Sequence, residues 1–440
     1  MKRNYYKVVF SVFALLNYIT AFSQANNTHV CTMPDTGAPN NTLVKLRPLV
    51  KQKLESRATP CATINVNYIG GDWTDIFGQP NEAQDAFQLA VDIWANLIDS
   101  PVTININATY EPSTPGNLGS ASASYFRSIP GDPDNVLYPG ALFEKITGAN
   151  GNGFSSDISC NFNSTRSDWF FPTAVDEPTP AGMFNFTSVV LHELGHGLGI
   201  AGFGRTRIGT TGTTVGYIRR DSNGNTTTAA NDPAAIWYNI WDEFIVNSST
   251  PVLDLDDPSS FLLSAFQGDN LSCNGPIAVA QNGGVRPKTY APFPFNGGSS
   301  YSHWDEATFN GTETALMTPF LGPGESVYDP GNVTLGFMED MGWSLCQGSL
   351  SANDFAIDDI NISPNPFTES ITIELPPRLS NNSFSARITD INGREVYGNL
   401  DFNNGEIIIS NLSNLKNALY FLTIENKTSN ISITKKIIKK

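Results

Sequence analysis

Histidine is scarce in this chain: four occur in 440 residues, at positions 29, 192, 196 and 303. Any two of them at a ligand-like spacing are therefore a rare coincidence. Basic residues are also short, with 26 Lys and Arg against 42 Asp and Glu, for a net charge of −16. Residues 358–440 are balanced and the first residues are basic, so the acidic excess lies in the middle of the chain. An acidic body argues against nucleic acid and anionic membranes as partners. Beyond Phe22 no segment approaches the roughly eighteen apolar residues of a membrane-spanning helix, so no integral span is expected in the mature protein. The five cysteines (Cys31, Cys61, Cys160, Cys273, Cys346) stand too far apart for a paired-cysteine metal knuckle. Their odd number leaves at least one unpaired even if export favours disulfides.

Residues 1–23 read as a secretory signal: Lys2, Arg3 and Lys7, then an apolar stretch from Val8, then Ala21-Phe22-Ser23 before Gln24. Residues 24–60 are polar and aperiodic and read as a short propeptide or linker. Within them Cys31 is expected to be a disulfide partner. The competing reading is a cysteine in a removable segment that caps a metal. From Cys61 the pattern changes. Residues 62–68 alternate like a strand, 81–98 carry apolar residues at helical spacing (Phe87, Ala90, Val91, Trp94, Leu97), and 102–110 alternate again. Residues 155–162 are expected to be an edge strand that pairs with extended substrate. Residues 203–302 are rich in Gly, Asn and Thr, with one helix-like stretch at 236–244 and no evident chemistry of their own. The acidic run Asp254-Leu255-Asp256-Asp257 reads as a solvated loop, with a structural Ca²⁺ as the minor alternative.

One pentapeptide carries chemistry: His192-Glu193-Leu194-Gly195-His196. On a helix, with Asn185 or Thr187 as N-cap, it sets two imidazoles four residues apart on one face, where both reach a single Zn²⁺. Glu193 between them is then placed as general base for a metal-bound water. A catalytic zinc needs a third protein ligand and an open fourth position. Gly199 matches the glycine of H-E-x-x-H-x-x-G-x-x-H, but Gly202 stands where the third His would be. A downstream Glu ligand is disfavoured, because no Glu occurs between Glu193 and Glu243. His303 remains, in Ser302-His303-Trp304, followed by Leu316-Met317-Thr318-Pro319.

These segments resemble the leishmanolysin-like branch of the metzincins, in which a long insertion separates the helix-end glycine from an S-H-W segment and an L-M-x-P turn follows. The resemblance implies that His303 is the third zinc ligand, that Met317 packs beneath the metal without binding it, and that 337–343 belong to a closing helix. It spans residues 61–347 loosely, with its specific motifs at 192–199 and 303–319. The chain departs from the pattern in the length of the insertion and in Asp305 after Trp304. Pro319 stands two places after Met317, so no Tyr donor of the astacin kind is available there.

After Cys346, residues 348–357 read as a linker, and 358–440 as a small all-β sandwich with strands at 370–375, 385–390, 406–410, 418–425 and 431–438. Ser363-Pro364-Asn365-Pro366, Asp390-Ile-Asn-Gly393-Arg394-Glu-Val396 and the basic terminus Lys435-Lys-Ile-Ile-Lys-Lys440 resemble a type IX secretion C-terminal sorting domain. In that family's pattern Ala418 replaces a usual Gly. The resemblance implies the type IX machinery as partner, and export through the periplasm and outer membrane of a Gram-negative bacterium to the surface or medium. The competing reading of the sandwich is a carbohydrate-binding or adhesive module.

The expected architecture is therefore an α+β metzincin-like catalytic domain at 61–347 and the terminal sandwich. The catalytic domain would have a twisted mixed sheet, a backing helix, an active-site helix and a smaller irregular C-terminal subdomain. The expected function is a secreted zinc endopeptidase acting on protein or peptide, with Glu193 as base. The alternative is a surface binding or adhesion protein on a degenerate scaffold.

Overall fold

The computed structural model describes residues 31–346, apart from 75–77, 79, 132–133, 154 and 226–235, and residues 360–440, apart from 376–383, 392, 403–404 and 427–431. The expected signal, the start of the expected propeptide and the 348–357 linker lie outside the described residues. Two separate apolar cores form. One draws on residues from Met33 to Trp343, the other on residues from Ile360 to Ile437.

In chain order the elements that build the first body around its site are β1 (Cys31–Pro34), β2 (Leu43–Val44), α1 (Pro48–Ser56), β3 (Ile64–Ile69), α2 (Glu82–Leu97), β4 (Ile104–Glu111), β5 (Asn117–Ala123), α3 (Gly140–Thr147), β6 (Ile158–Asn163), α4 (Phe186–Leu198), β7 (Ser326–Val327) and α5 (Gly331–Met341). Five strands make a mixed sheet in the order β1-β5-β6-β4-β3. Strands β3, β4 and β6 run parallel, while β5 and β1 run antiparallel to their neighbours. The sequences explain the two faces. Alternating Ile and Asn in β3 and β4 send Ile64, Ile104 and Ile106, with Ile158 of β6, towards Trp94 of α2 and Leu194 and Leu198 of α4. The asparagines stay on the open face, where Asn67 Nδ2 donates to Asn107 Oδ1 at 2.9 Å.

Helix α2 starts where Asn81 accepts hydrogen bonds from the N–H groups of Ala83 and Gln84, and it backs the sheet as expected. It is bolted to α4 by Trp94 Nε1–H on the Leu191 carbonyl (3.0 Å) and Thr187 Oγ–H on the Ala86 carbonyl (2.9 Å). Helix α5, the expected closing helix, begins earlier than 337 and ends at Gly342, whose φ of +113° suits glycine. Trp343 beyond it donates to the Leu198 carbonyl at 3.0 Å.

Three expectations are corrected. The stretch 155–162 is not an edge: β6 lies inside the sheet between β5 and β4, and the edge beyond it is β5. Residues 31–60 are no loose linker. Strand β1 pairs with β5, β2 pairs with β7, Val50 of α1 is fully buried, and Arg47 is held by Asp329. Cys31 makes no disulfide; the bridge is Cys61–Cys346, and Cys31, Cys160 and Cys273 are buried thiols.

The 203–302 insertion holds more structure than its composition suggests. It contains a hairpin of Arg205–Ile208 with Thr214–Tyr217, a helix at Ser260–Gln267 and another at Pro276–Gln281. Around 236–244 only Ile240–Glu243 is helical. In the acidic run, Asp257 accepts the N–H groups of Ile218 (2.9 Å) and Arg219 (2.8 Å), so it braces the chain. Among the described residues no acidic cluster of three or more gathers as a Ca²⁺ site would require.

The second body is a two-sheet sandwich: β8 (Asn361–Ser363), β9 (Ile371–Glu374), β10 (Phe384–Thr389), β11 (Glu395–Asp401), β12 (Glu406–Ile409), β13 (Leu419–Asn426) and β14 (Ser432–Ile438). One sheet has the order β8-β9-β12, the other β11-β10-β13-β14, and their inward residues share one core around Phe367, Ile388 and Leu422. Strands β8 and β11 were not among the expected five.

Candidate metal centre

Helix α4 opens at Asn185, whose side chain accepts the Ser188 N–H at 2.9 Å, and every residue from Phe186 to Leu198 is buried. Its histidines are held from outside the helix. His192 Nδ1 meets the Leu316 carbonyl at 2.6 Å, and His196 Nδ1 meets the Ile200 carbonyl at 2.5 Å. The carbonyl of Ile200 is available because the helix stops at Gly199, whose φ of +126° turns the chain back. No side chain fits at Gly202, where a Cβ would collide with Tyr301, Trp241 and Asp242. The third imidazole comes instead from His303, whose Nδ1 meets the Ser299 carbonyl at 2.6 Å.

A carbonyl only accepts, so each Nδ1 must carry the proton and each Nε2 must present a lone pair. The three Nε2 atoms converge: His196 to His192 at 3.0 Å, His196 to His303 at 3.0 Å, and His303 to His192 at 3.2 Å. Three lone pairs aimed at one point repel one another unless a cation lies between them. Tetrahedral bonds of about 2.0–2.1 Å to one zinc would set such nitrogens roughly 3.3 Å apart, close to what is found. Burial and mutual repulsion hold the His192 and His303 imidazoles well below their ordinary pKa, and burial lowers His196 to about 4, so all three are neutral ligands at pH 7. Among the described residues this is the one group of three or more His, Cys, Asp or Glu with converging ligand atoms, and Cys31 is not in it.

Met317 sits in the turn Ala315–Met317, fully buried, with its Sδ so close to Gly195 that a Cβ there would come within 2.7 Å. That contact explains the glycine inside the H-E-L-G-H run. The turn is locked to the third histidine by the Trp304 N–H on the Met317 carbonyl at 2.9 Å.

Glu193 is fully buried and neither carboxylate oxygen completes a hydrogen bond. Burial raises its pKa well above the usual value, while the main-chain N–H groups of Ala121 and Met33, near it without closing to hydrogen bonds, offset part of the rise. Both belong to strands of the sheet edge, β5 and β1. The closeness of β1 to this carboxylate is a feature that the sequence reading did not locate.

Asp242, also missed, links the insertion to the site. It accepts from Tyr301 Oη (2.9 Å), Phe203 N–H (3.0 Å) and Asn239 N–H (2.8 Å), and burial raises its pKa to about 7. Its sequence signal was the capping pair Asn239 and Asp242.

Residues 361–440 match the family described as Secretion system C-terminal sorting domain. The C-terminal unit therefore addresses the chain to the type IX secretion machinery, for export to the outer membrane or cell surface. Among the described residues no helix is long and apolar enough to cross a membrane. No curated protein matches the chain. Among solved structures, one that resembles part of it is a DUF3244 family protein with an immunoglobulin-like β-sandwich fold from Bacteroides vulgatus. It is 25% identical over 19% of this chain and 84% of that one, with a TM-score of 0.16. Another is PorZ, an essential surface component of the type IX secretion system of Porphyromonas gingivalis. It is 20% identical over 23% of this chain and 14% of that one, with a TM-score of 0.18.

Proposed function

We propose that residues 31–346 form a zinc-dependent endopeptidase of metzincin type, akin to the leishmanolysin-like branch, which the C-terminal unit sends out of the cell. The observation that carries this reading is the meeting of three Nε2 lone pairs within 3.0–3.2 Å, each imidazole fixed by a carbonyl at its Nδ1. His192, His196 and His303 would hold the metal. Zinc bound by three neutral imidazoles supplies an acidified water and an electrophile for a carbonyl oxygen.

The remaining steps belong to the chain. Glu193, in a dry setting that raises its proton affinity, takes a proton from the attacking water and holds it long enough to deliver it to the leaving amine. The carbonyls of Leu316, Ile200 and Ser299 hold the imidazoles in one tautomer, so the ligand set is preorganised. Met317 fills the space under the helix and keeps the His303 loop in register through Trp304.

The test is hydrolysis of a mixed peptide library by the full chain, beside Glu193→Ala, with zinc measured in both. Zinc in both and cleavage by the wild type alone supports the endopeptidase. Zinc in both and cleavage by neither, after the N-terminal strand has been removed, favours a surface binding protein on the same scaffold. The fully buried Glu193 speaks against that second reading, because a binder has no use for an isolated buried carboxylate.

A further inference from the structure

The site is sealed. His192, Glu193 and His303 expose no surface and His196 exposes 1%. Part of the seal is β1. Cys31 lies opposite Ala121 and Met33 opposite Gly119, so β1 covers the edge of the sheet antiparallel to β5. On its other side the Thr32 N–H donates to the Gly298 carbonyl at 3.2 Å, in the loop that leads to His303. Strand β1 thus fills the slot between sheet edge and third histidine, with its buried Cys31 and Met33 turned towards Glu193. An extended peptide joining the sheet at β5 would need that same slot.

The chain changes character on leaving the slot. Residues 36–41 have no regular structure, and positions 36, 38, 39 and 41 are exposed. From Leu43 onward the segment is stitched in. Strand β2 runs parallel to β7, and the Leu46 N–H donates to Asp176 at 2.7 Å. Arg47 forks onto Asp329 at 2.5 and 2.8 Å, with both side chains at least nine-tenths buried. Lys51 pairs with Asp176 at 2.7 Å. Ahead of the exposed stretch the ties are fewer: the β1 ladder, the Asp35 N–H on the Gly116 carbonyl, and a half-exposed Asp35–Arg166 pair.

We infer that the chain carries a processing site within residues 36–41, and that a cut there empties the slot while residues 43–60 stay as a permanent part of the body. The need for the slot rests on the endopeptidase reading; the position of the cut rests on the exposure and the stitching alone. Hydrolysis of one peptide bond consumes one water and leaves a carboxylate on the departing piece and an amine on the retained chain. While tethered, β1 competes for the slot at an effective concentration of about millimolar; once untethered, a four-residue strand is diluted away. Exposed irregular loops are where proteases cut. A cut near residue 58 would leave β1 joined to a segment that is itself bolted down.

The experiment inserts a recognition sequence for a site-specific protease after Ala38 in one full-length protein and after Ala58 in another. After cutting, both are stripped of metal and treated with diethyl pyrocarbonate, and modified histidines are located by peptide mass. The cut after Ala38 is expected to release the N-terminal piece, retain residues 43–60, and raise the rate of modification at His192, His196 and His303 at least 10-fold. The cut after Ala58 should leave that rate unchanged. Unchanged protection after the first cut, or deprotection by the second cut alone, overturns the inference. Deprotection without peptide hydrolysis after zinc is restored upholds the processing site and sinks the endopeptidase, so the two readings fail separately. Mass analysis of the exported protein gives a second arm: a mature N-terminus between 36 and 43 supports the inference, and one beyond 58 refutes it.

Discussion

Replacing Gly195 with Ala tests the packing under the histidines, because two effects of known size oppose each other there. In the middle of a helix this change normally stabilises by about 1 kcal/mol. Here the new Cβ would stand 2.7 Å from Met317 Sδ and 3.2 Å from its Cε, with Trp94 Cζ2 at 3.6 Å on another side. Met317 is fully buried and cannot swing into solvent. Forcing a methyl group into a filled core costs about 1–3 kcal/mol. The expected net effect is destabilisation by about 0–2 kcal/mol. In a Met317→Ala background the obstacle is gone, so the same change should stabilise by about 1 kcal/mol. The coupling is therefore about 1–3 kcal/mol, above the roughly 0.3–0.5 kcal/mol scatter of independent sites. All seven tryptophans lie between positions 73 and 343, so tryptophan emission in a denaturant titration follows the first body without contribution from the sandwich. If Gly195→Ala stabilises equally in both backgrounds, Met317 does not press on the helix and the reasoning fails. A second readout is zinc retention, which should fall in the single variant because the displaced turn carries the Leu316 carbonyl that holds His192.

Other expectations follow from single contacts. Arg47→Met strands a buried Asp329 and should cost about 3–5 kcal/mol. Arg166→Met should cost about 1 kcal/mol or less, because Asp35 and Asp168 can rehydrate; equal losses in denaturant titration would contradict this ranking. His303→Ala should weaken zinc binding by more than the about 10–100-fold typical of changes around a ligand set, read by chelator competition; wild-type affinity would remove it from the set. Asp157 is buried beside Glu144, and burial first, then that neighbouring carboxyl, raise its pKa from 3.8 to about 6 against the smaller opposing effect of the Asn105 N–H. A folded-state pKa raised this way means its stabilisation is complete below about pH 4 and lost as pH climbs through 6. Asp157→Asn should therefore match the wild type near pH 4 and exceed it by about 1–3 kcal/mol at pH 8; a variant less stable than wild type at pH 8 would refute the assignment.

What could be read from the sequence was whatever a residue declares through its own spacing. Alternating Ile and Asn gave β3 and β4, helical spacing gave α2, and a four-residue histidine interval gave the metal-facing side of α4, because each pattern reports a local period. His303 and Met317 are different. No local rule ties them to position 192, and they became legible only through a resemblance that links two distant motifs. The sheet edge hid for a physical reason. Strand β5, Asn-Leu-Gly-Ser-Ala-Ser-Ala, has none of the bulky β-branched residues that mark a strand, because helix α4 and Phe162 lie against it. A Cβ on Gly119 would come within 2.9 Å of Phe162 and 3.3 Å of the Glu193 side chain. The smallness that hides the strand is what brings a backbone N–H near the catalytic carboxylate. The N-terminal segment hid for the opposite reason. Strands of four and two residues have no period to detect, and they exist only because partners at Ala121 and Ser326 lie far along the chain. A segment held wholly by distant contacts reads as linker in sequence, yet only a fold shows which half of it is bolted to the body and which half lies in the slot beside Glu193.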